Sequence, residues 1–394
     1  MTSPTGRRKA SVAHANGAPA PDGTTPAGAS YWAPAVLRTE LDRLFYPNWL
    51  CVAREEELAR PGDFVTCEVG PESVLLVRAT DGRARGFYNL CRHRGTRLVE
   101  TSHGEAARSF LCPYHAWSYD LEGRLIGAPH MPGAEEFDRG EYGLHPVRVA
   151  SAGGFLWANL DPTGPDLAAT LGPFFAKFER VPLADLRRGA HQEYEVEANW
   201  KILVENFSEC YHCAPVHPGL NRITPYLSGA NDATFHPSVG RSLFAGGYME
   251  LTRDYQSMTR TGYTNRPRLP GITDVDARRI YYYVVFPNLF FSLHPDYVMV
   301  HRCWPVSPTH SRVENDFYFA PATVAAPGFD PSDAVGMWDE INRQDWHVCE
   351  LAQAGMSSRA WTGGRYSSKE TLVRDFDAFV REELDRGASP RERR

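Results

Sequence analysis

Two short clusters of metal-ligand residue types stand out in this chain of 394 residues. The first is Cys91-x-His93, the second Cys112-x-x-His115, with eighteen residues between His93 and Cys112. A disulfide with bystander histidines, a zinc site and an iron–sulfur cluster all draw on these types. Zinc fingers usually pair cysteine with cysteine and histidine with histidine along the chain. Here each cluster supplies one thiolate and one imidazole. That order suits a [2Fe–2S] centre in which two thiolates hold one iron and two imidazoles the other, each loop serving both irons. Histidine ligation places such a centre at about −150 to +300 mV, which makes it a one-electron carrier rather than a staple. Gly95 follows the first cluster and Pro113 stiffens the second.

A second constellation lies in "ENFSECYHCAPVHPG", residues 205–219. On an unbroken helix His212 and His217 would point roughly 140° apart. Pro215 stops the helix between them, so the chain can turn both imidazoles to one point. Two imidazoles and one carboxylate make the facial triad of non-haem Fe(II) oxygenases. The carboxylate is sought in "SDAVGMWDEINRQDWHVCELAQAG". Ala334, Trp338, Ile341, Asp345, Val348 and Ala352 recur at alternating four- and three-residue steps, which places Asp345 inside an apolar stripe. A carboxylate there needs a partner, and a metal would serve. Asp339 and Glu350 are weaker substitutes. Glu205, Glu209 and His212 share one helical face, where a solvated acidic surface accounts for Glu205 alone. Cys210 and Cys213 read as packing residues, and Cys51, Cys67, Cys303 and Cys349 as core.

The elements that must position these residues follow from periodicity and punctuation. Residues 31–60 read as helical up to Pro61-Gly62. Short apolar or alternating runs between Gly, Asp and Pro fill 63 to about 160, a β-rich unit with the first four ligands on its loops. "NWKILVENFSECYHC" reads as a helix with Asn199 as N-cap. No clear period follows to about 275. Strands then succeed one another over 279–320, and helices over about 331–355 and 368–386 close the chain. The fold class is α+β. It divides into a disordered arm (1–30), a helical lead-in packing on the catalytic domain (31–45), a small all-β domain (46–160), an α+β domain with a large antiparallel sheet flanked by helices (161–386), and a disordered tail (387–394).

Composition narrows the function classes. A net charge of −6 from mixed signs gives nucleic acid no footprint. The basic "GRRKA" at 6–10 reads as a solvated tail. No apolar run is long enough to span a bilayer. Eight cysteines without an export signal point to the reducing cytoplasm. No dinucleotide fingerprint is present, so electrons must come from outside the chain.

"CRHRGTRL" and "CPYHAWSYDLEGRL" closely resemble the signature of Rieske domains in Rieske non-haem iron oxygenases, with a gap slightly long for that family. The order acidic residue, two residues, His, four residues, His and a distant Asp resembles the same family. Glu in place of the commoner Asp at 209 resembles the glycine betaine, carnitine and stachydrine subgroup. The resemblance covers roughly residues 35 to 385. It implies a helix-grip-like catalytic domain. It assigns Cys91 and Cys112 to one cluster iron, His93 and His115 to the other, and His212, His217 and Asp345 to a mononuclear Fe(II). It makes Glu209 the carboxylate that connects this site to the cluster histidine of a neighbour, His115 being the donor-side partner, in a homotrimer. It also implies an external NAD(P)H-dependent flavin/iron–sulfur reductase and reductive use of O2 to hydroxylate or N-demethylate a small substrate.

A quaternary or methylated amine is the first substrate expectation, with a cage drawn from Tyr281, Tyr282, Tyr283, Phe290, Phe291, Tyr297 and Trp304. Arg241, His301 and Arg302 are candidates for a substrate carboxylate. Hydroxylation of an aromatic ring is the rival activity. An electron-transfer protein and a zinc-stapled binding module are the non-enzyme alternatives.

Overall fold

The computed structural model describes residues 23–131, 137–235 and 242–386. Chain order begins with α1 (Ala29–Trp32) and α2 (Pro34–Glu40), which runs on as a π-helical turn over Leu41–Phe45. Pro34 opens α2 at the position where a missing N–H costs nothing. Residues 23–30, expected to be a loose arm, are tied down instead. Thr25 N–H donates to Gly364 O at 3.2 Å, and Gly364 N–H returns a bond to Thr25 Oγ1 at 2.7 Å. The remaining arm and the tail lie outside the described residues.

The helix expected to reach residue 60 stops near Pro47. "LCVAR" instead forms β1 (Leu50–Arg54), buried at every position and paired with a neighbouring strand. A short run that is apolar at four of five positions does not reveal by its period whether it is strand or helix. The strands β2 (Asp63–Val69), β3 (Glu72–Arg78), β4 (Ala84–Tyr88), β5 (His103–Glu105), β6 (Ser109–Leu111), β7 (Ser118–Asp120), β8 (Leu125–Gly127), β9 (Pro146–Ala152) and β10 (Phe155–Asn159) follow. They form a seven-stranded sheet ordered β1-β10-β9-β4-β3-β2-β5 and a three-stranded sheet β6-β7-β8. The first ligand loop leaves β4 and the second joins β6 to β7. The extra length between them holds β5, which pairs with β2.

The second part contains α3 (Leu167–Lys177), β11 (Arg187–Val196), α4 (Trp200–Phe207), α5 (Cys213–Val216), α6 (Pro218–Ile223), β12 (Ala230–Ala233), β13 (Phe244–Glu250), β14 (Arg279–Val285), β15 (Leu289–Leu293), β16 (Val298–Ser307), β17 (His310–Phe319), α7 (Pro321–Val324), α8 (Ser332–Met356) and α9 (Thr371–Arg386). Its antiparallel sheet runs β11-β17-β16-β15-β14-β13-β12. One face takes α3: Phe174 and Phe178 pack edge-on or tilted against Tyr283 and Phe291. The other face takes α4 and α8, through Phe207 stacked on Phe290 and Trp338 against Tyr282. β12 and β13 lie in the stretch that showed no sequence period. The two parts are joined where the Asn288 side chain makes paired hydrogen bonds to the Cys51 backbone, at 2.9 and 3.0 Å.

Candidate metal centres and the cavity beside them

The two loops of the first constellation fold alike. Cys91 N–H donates to Thr96 O and Gly95 N–H to Cys91 O; Cys112 N–H donates to Trp117 O and Ala116 N–H to Cys112 O. In both, the fourth residue after the cysteine has a positive φ, +69° at Gly95 and +57° at Ala116. The result is two facing knuckles. Both thiols are buried, while His93 and His115 are exposed side by side with ring centroids 4.7 Å apart. Trp117 stacks on His93 and Tyr114 on His115. Burial pushes the Cys91 thiol up, opposed by the Tyr119 hydroxyl, which lies 3.3 Å from Sγ. A group with one soft, buried end and one imidazole-bound, exposed end fits this donor set.

Asn199 caps α4 as expected, its side chain accepting from Lys201 N–H. The helix ends at Phe207, four residues sooner than its apolar stripe suggested, with the Ser208 hydroxyl donating back to Val204 O. The released turn lets Glu209 accept the backbone N–H groups of Tyr211 and His212. His212 then precedes the short α5, and His217 follows it, so one turn containing Pro215 separates the two imidazoles.

The structure brings His212, His217 and Asp345 together, with ligand atoms all within 4.8 Å of one another. Asp345 Oδ1 is 2.8 Å from His217 Nε2 and 3.2 Å from His212 Nε2. The outer ring nitrogens are also engaged. His212 Nδ1 lies 2.6 Å from Glu209 Oε1, and His217 Nδ1 lies 2.7 Å from Gln344 Oε1. Carbonyl and carboxylate oxygens only accept, so each Nδ1 carries the proton and each Nε2 is turned toward Asp345. Burial disfavours charge on His212, yet hydrogen bonds to Asp345 and Glu209 outweigh it and lift the imidazole to about 10. Burial likewise would raise Asp345, but the two imidazoles hold it below the usual carboxylate range. Positive charge is demanded at this point. A dication would meet the demand through two neutral imidazoles and a carboxylate.

Sequence reasoning did not single out Gln344; its only signal was its place beside Asp345. Asp339 is spent on Tyr194 and Arg343, and Glu350 on the Glu197 N–H. Glu205 does not face solvent. It accepts from Tyr31 at 2.7 Å and shares a hydrogen bond with Asp377.

A cavity of about 290 Å³ opens beside the triad. Phe207, Tyr282 and Trp338 form a continuous aromatic wall, with neighbouring centroids 6.2 and 6.3 Å apart. Gly246 and Gly247 of β13 form part of the lining, where a Cβ would strike the backbone oxygen of Tyr282 or Ala230. Among the seven aromatics expected from the strands, only Tyr282 lines this cavity. Tyr281, Tyr283 and Phe291 face α3, Phe290 lies behind Phe207, and Tyr297 and Trp304 are core. Arg302 is buried against Glu314 and Asp316, at 2.8 and 2.9 Å, away from the cavity. His301 is enclosed against Asn342, and burial pulls it down to about 4. Arg241 lies outside the described residues.

Residues 48–138 match the Rieske [2Fe-2S] domain, and residues 183–386 match the catalytic domain of the ring hydroxylating alpha subunit. The chain belongs to the Rieske oxygenases. This Rieske oxygenase is 32% identical over 376 residues to the glycine betaine monooxygenase oxygenase subunit of Chromohalobacter salexigens, covering 88% of this chain and 82% of that one. It is 29% identical over 338 residues to the carnitine monooxygenase oxygenase subunit of Acinetobacter baumannii, covering 84% and 85%. A solved quaternary ammonium Rieske monooxygenase matches with a TM-score of 0.76 at 26% identity, over 92% of this chain and 95% of that one. As a Rieske oxygenase the protein is an oxidoreductase that incorporates O2 and carries one Rieske cluster and one mononuclear iron per subunit. The zinc-stapled and electron-carrier alternatives fall away. Among the described residues, no helix is long and apolar enough to cross a membrane.

Proposed function

We propose that this protein is the oxygenase component of a monooxygenase that removes an N-methyl group from a small quaternary or methylated amine. The observation that carries the reading is the aromatic wall of Phe207, Tyr282 and Trp338, set in one small cavity with His212, His217 and Asp345. A quaternary ammonium cannot donate a hydrogen bond, so π-faces are its natural partners, worth about 2 kcal/mol each when desolvated. The similarity to oxygenases named for glycine betaine and carnitine points the same way.

In this reading Cys91, Cys112, His93 and His115 hold the cluster, and His212, His217 and Asp345 hold the mononuclear iron. When bound, the cluster supplies single electrons and the iron supplies O2 activation. Glu209 and Gln344 keep the protons on the outer imidazole nitrogens and fix both rings. Phe207, Tyr282 and Trp338 position the N-methyl group and exclude water. The atoms balance with O2, two electrons and two protons. One oxygen atom enters the C–H bond to give N–CH2–OH, and the other leaves as water. The carbinolamine then breaks at C–N, releasing formaldehyde and the demethylated amine.

The reading includes a homotrimer in which Glu209 faces the Rieske histidine of a neighbour, a cytoplasmic location, and an external NAD(P)H-dependent flavin/iron–sulfur reductase. It keeps 46–160 as the Rieske domain and 161–386 as the catalytic domain. Turnover with a surrogate reductase tests it, with formaldehyde and O2 uptake measured for glycine betaine, carnitine, choline, stachydrine and aromatic acids. Formaldehyde that depends on an amine is the expected result. A hydroxylated ring product without formaldehyde would move the protein to ring hydroxylation.

A further inference from the structure

The cavity is not electrically uniform. Its inner wall carries the triad and the aromatic rings. Its α9 side carries Ser368, Lys369 and Thr371. Among the described residues lining it, Lys369 is the one lysine or arginine, and it enters no ion pair there. Other cations nearby are committed. Arg279 lies over the Tyr248 ring at 3.8 Å and pairs with Glu250 at 3.6 Å, and Arg374 pairs with Asp375 at 2.9 Å.

The backbone that presents Lys369 is fixed. Ser367 N–H donates to Glu370 Oε2 at 2.5 Å, and Lys369 N–H donates to Ser367 Oγ at 3.2 Å. Just beyond, Thr234 Oγ1 donates to Asp375 at 2.7 Å, tying α9 to the end of β12. A long flexible stem on an anchored turn lets the ammonium follow a small ligand while its origin stays put.

We propose that Lys369 recognises a carboxylate on the substrate, so that the cavity selects a betaine over an otherwise similar amino alcohol. The proposal deepens the methylated-amine reading and rests on it. The aromatic wall treats the trimethylammonium head of glycine betaine and of choline alike. The two differ at the other end, where one has a carboxylate and the other a neutral hydroxyl. Only the carboxylate makes a charge-assisted bond to an ammonium. At the exposed rim water weakens that bond, so discrimination of about fivefold is expected rather than the larger factors of a buried pair.

The experiment uses the cluster- and iron-loaded enzyme. Calorimetric dissociation constants and steady-state kinetics are measured for glycine betaine and choline, in wild type, Lys369→Met, Lys369→Arg and Lys369→Glu. Wild type should favour glycine betaine. K369M should weaken glycine betaine about fivefold relative to choline, the loss falling on KM. K369R should restore most of the preference, and K369E should turn it toward choline. Wild-type demethylation of glycine betaine with the same binding ratio in K369M would overturn the role of Lys369 and leave the amine reading standing. Equal weakening of both ligands would overturn it too, as a general loss of the wall. Wild type that binds and demethylates no methylated amine would overturn the amine reading, and this inference with it.

Discussion

The amide oxygen of Gln344 lies 2.7 Å from Nδ1 of His217, and Gln344 immediately precedes Asp345 on α8. One helix therefore supplies both the carboxylate that His217 faces and the acceptor that fixes its tautomer. Gln344→Leu removes the acceptor and frees the ring to turn. Loss of such a partner typically costs 10–100-fold in metal affinity. Iron analysis of Q344L should show a fall in mononuclear iron with the visible spectrum of the cluster intact. Gln344→Glu, which keeps an acceptor at the same place, should retain the metal.

Tyr119 makes a comparable contact at the other centre. Its hydroxyl lies 3.3 Å from Cys91 Sγ and accepts from Arg92 N–H at 3.0 Å, which leaves its own proton for the sulfur. Hydrogen bonds to ligand sulfur stabilise the reduced, more negative cluster and raise its potential. Tyr119→Phe should lower it. A bond worth about 1 kcal/mol corresponds to ~40 mV for a one-electron couple. Protein-film voltammetry reads the shift directly, and an unchanged potential would mean that the hydroxyl proton points elsewhere.

The meeting of these side chains in space was legible where a few neighbouring residues carry the whole message. Cys91-x-His93, Cys112-x-x-His115 and His212 with His217 are local patterns, but the helix break expected at Pro215 comes earlier, at Phe207, and Pro215 lies inside α5. The strands over 279–320 were marked by their Pro, Asn and Asp breaks. Which side of a strand faces the cavity was not legible. β14 reads RIYYYVV and is buried on both faces, so alternation carries no label for inside and outside. Tyr282 turned one way, and Tyr281 and Tyr283 the other. Gln344 and Lys369 were hidden for a different reason. Gln344 matters through His217, distant in sequence, and Lys369 stands out only by its place on the cavity lining; an isolated polar residue on a helix or loop resembles any other. The buried run at 50–54 misled because its pattern fits helix and strand equally well.

Tyr282 is the strand aromatic that the cavity keeps. Its ring stands between Phe207 and Trp338. Tyr282→Leu preserves an apolar surface but removes the π-face. With a desolvated cation–π contact worth about 2 kcal/mol, KM for a quaternary amine should rise roughly 30-fold. Tyr282→Phe should stay within a few-fold of wild type, because phenylalanine keeps the same π-face between Phe207 and Trp338. Steady-state formaldehyde release distinguishes the two. Equal effects of Leu and Phe would argue against a cation on that face.

Asp377 and Glu205 share a hydrogen bond at the junction of α9, α4 and α1, where Tyr366 donates to Asp377 at 2.5 Å and Tyr31 donates to Glu205 at 2.7 Å. Lys201, already bonded to Glu40 at 2.5 Å, and Arg381 are the cations that act on Asp377. Burial dominates and raises Asp377 to about 6. An acid whose folded pKa lies above its unfolded value binds its proton more tightly when folded. Its contribution to stability is complete below about 3.8 and is lost as pH rises through about 6. Asp377→Asn keeps an acceptor for Tyr366 and cannot ionise. The melting temperature of D377N minus that of wild type should therefore become more positive between pH 5 and pH 8. The change should be a few degrees, at about 2–4 °C per kcal/mol for a domain of this size. Scanning calorimetry of both proteins across that range is the check. A difference that stays flat with pH would show that the pair does not hold a shared proton.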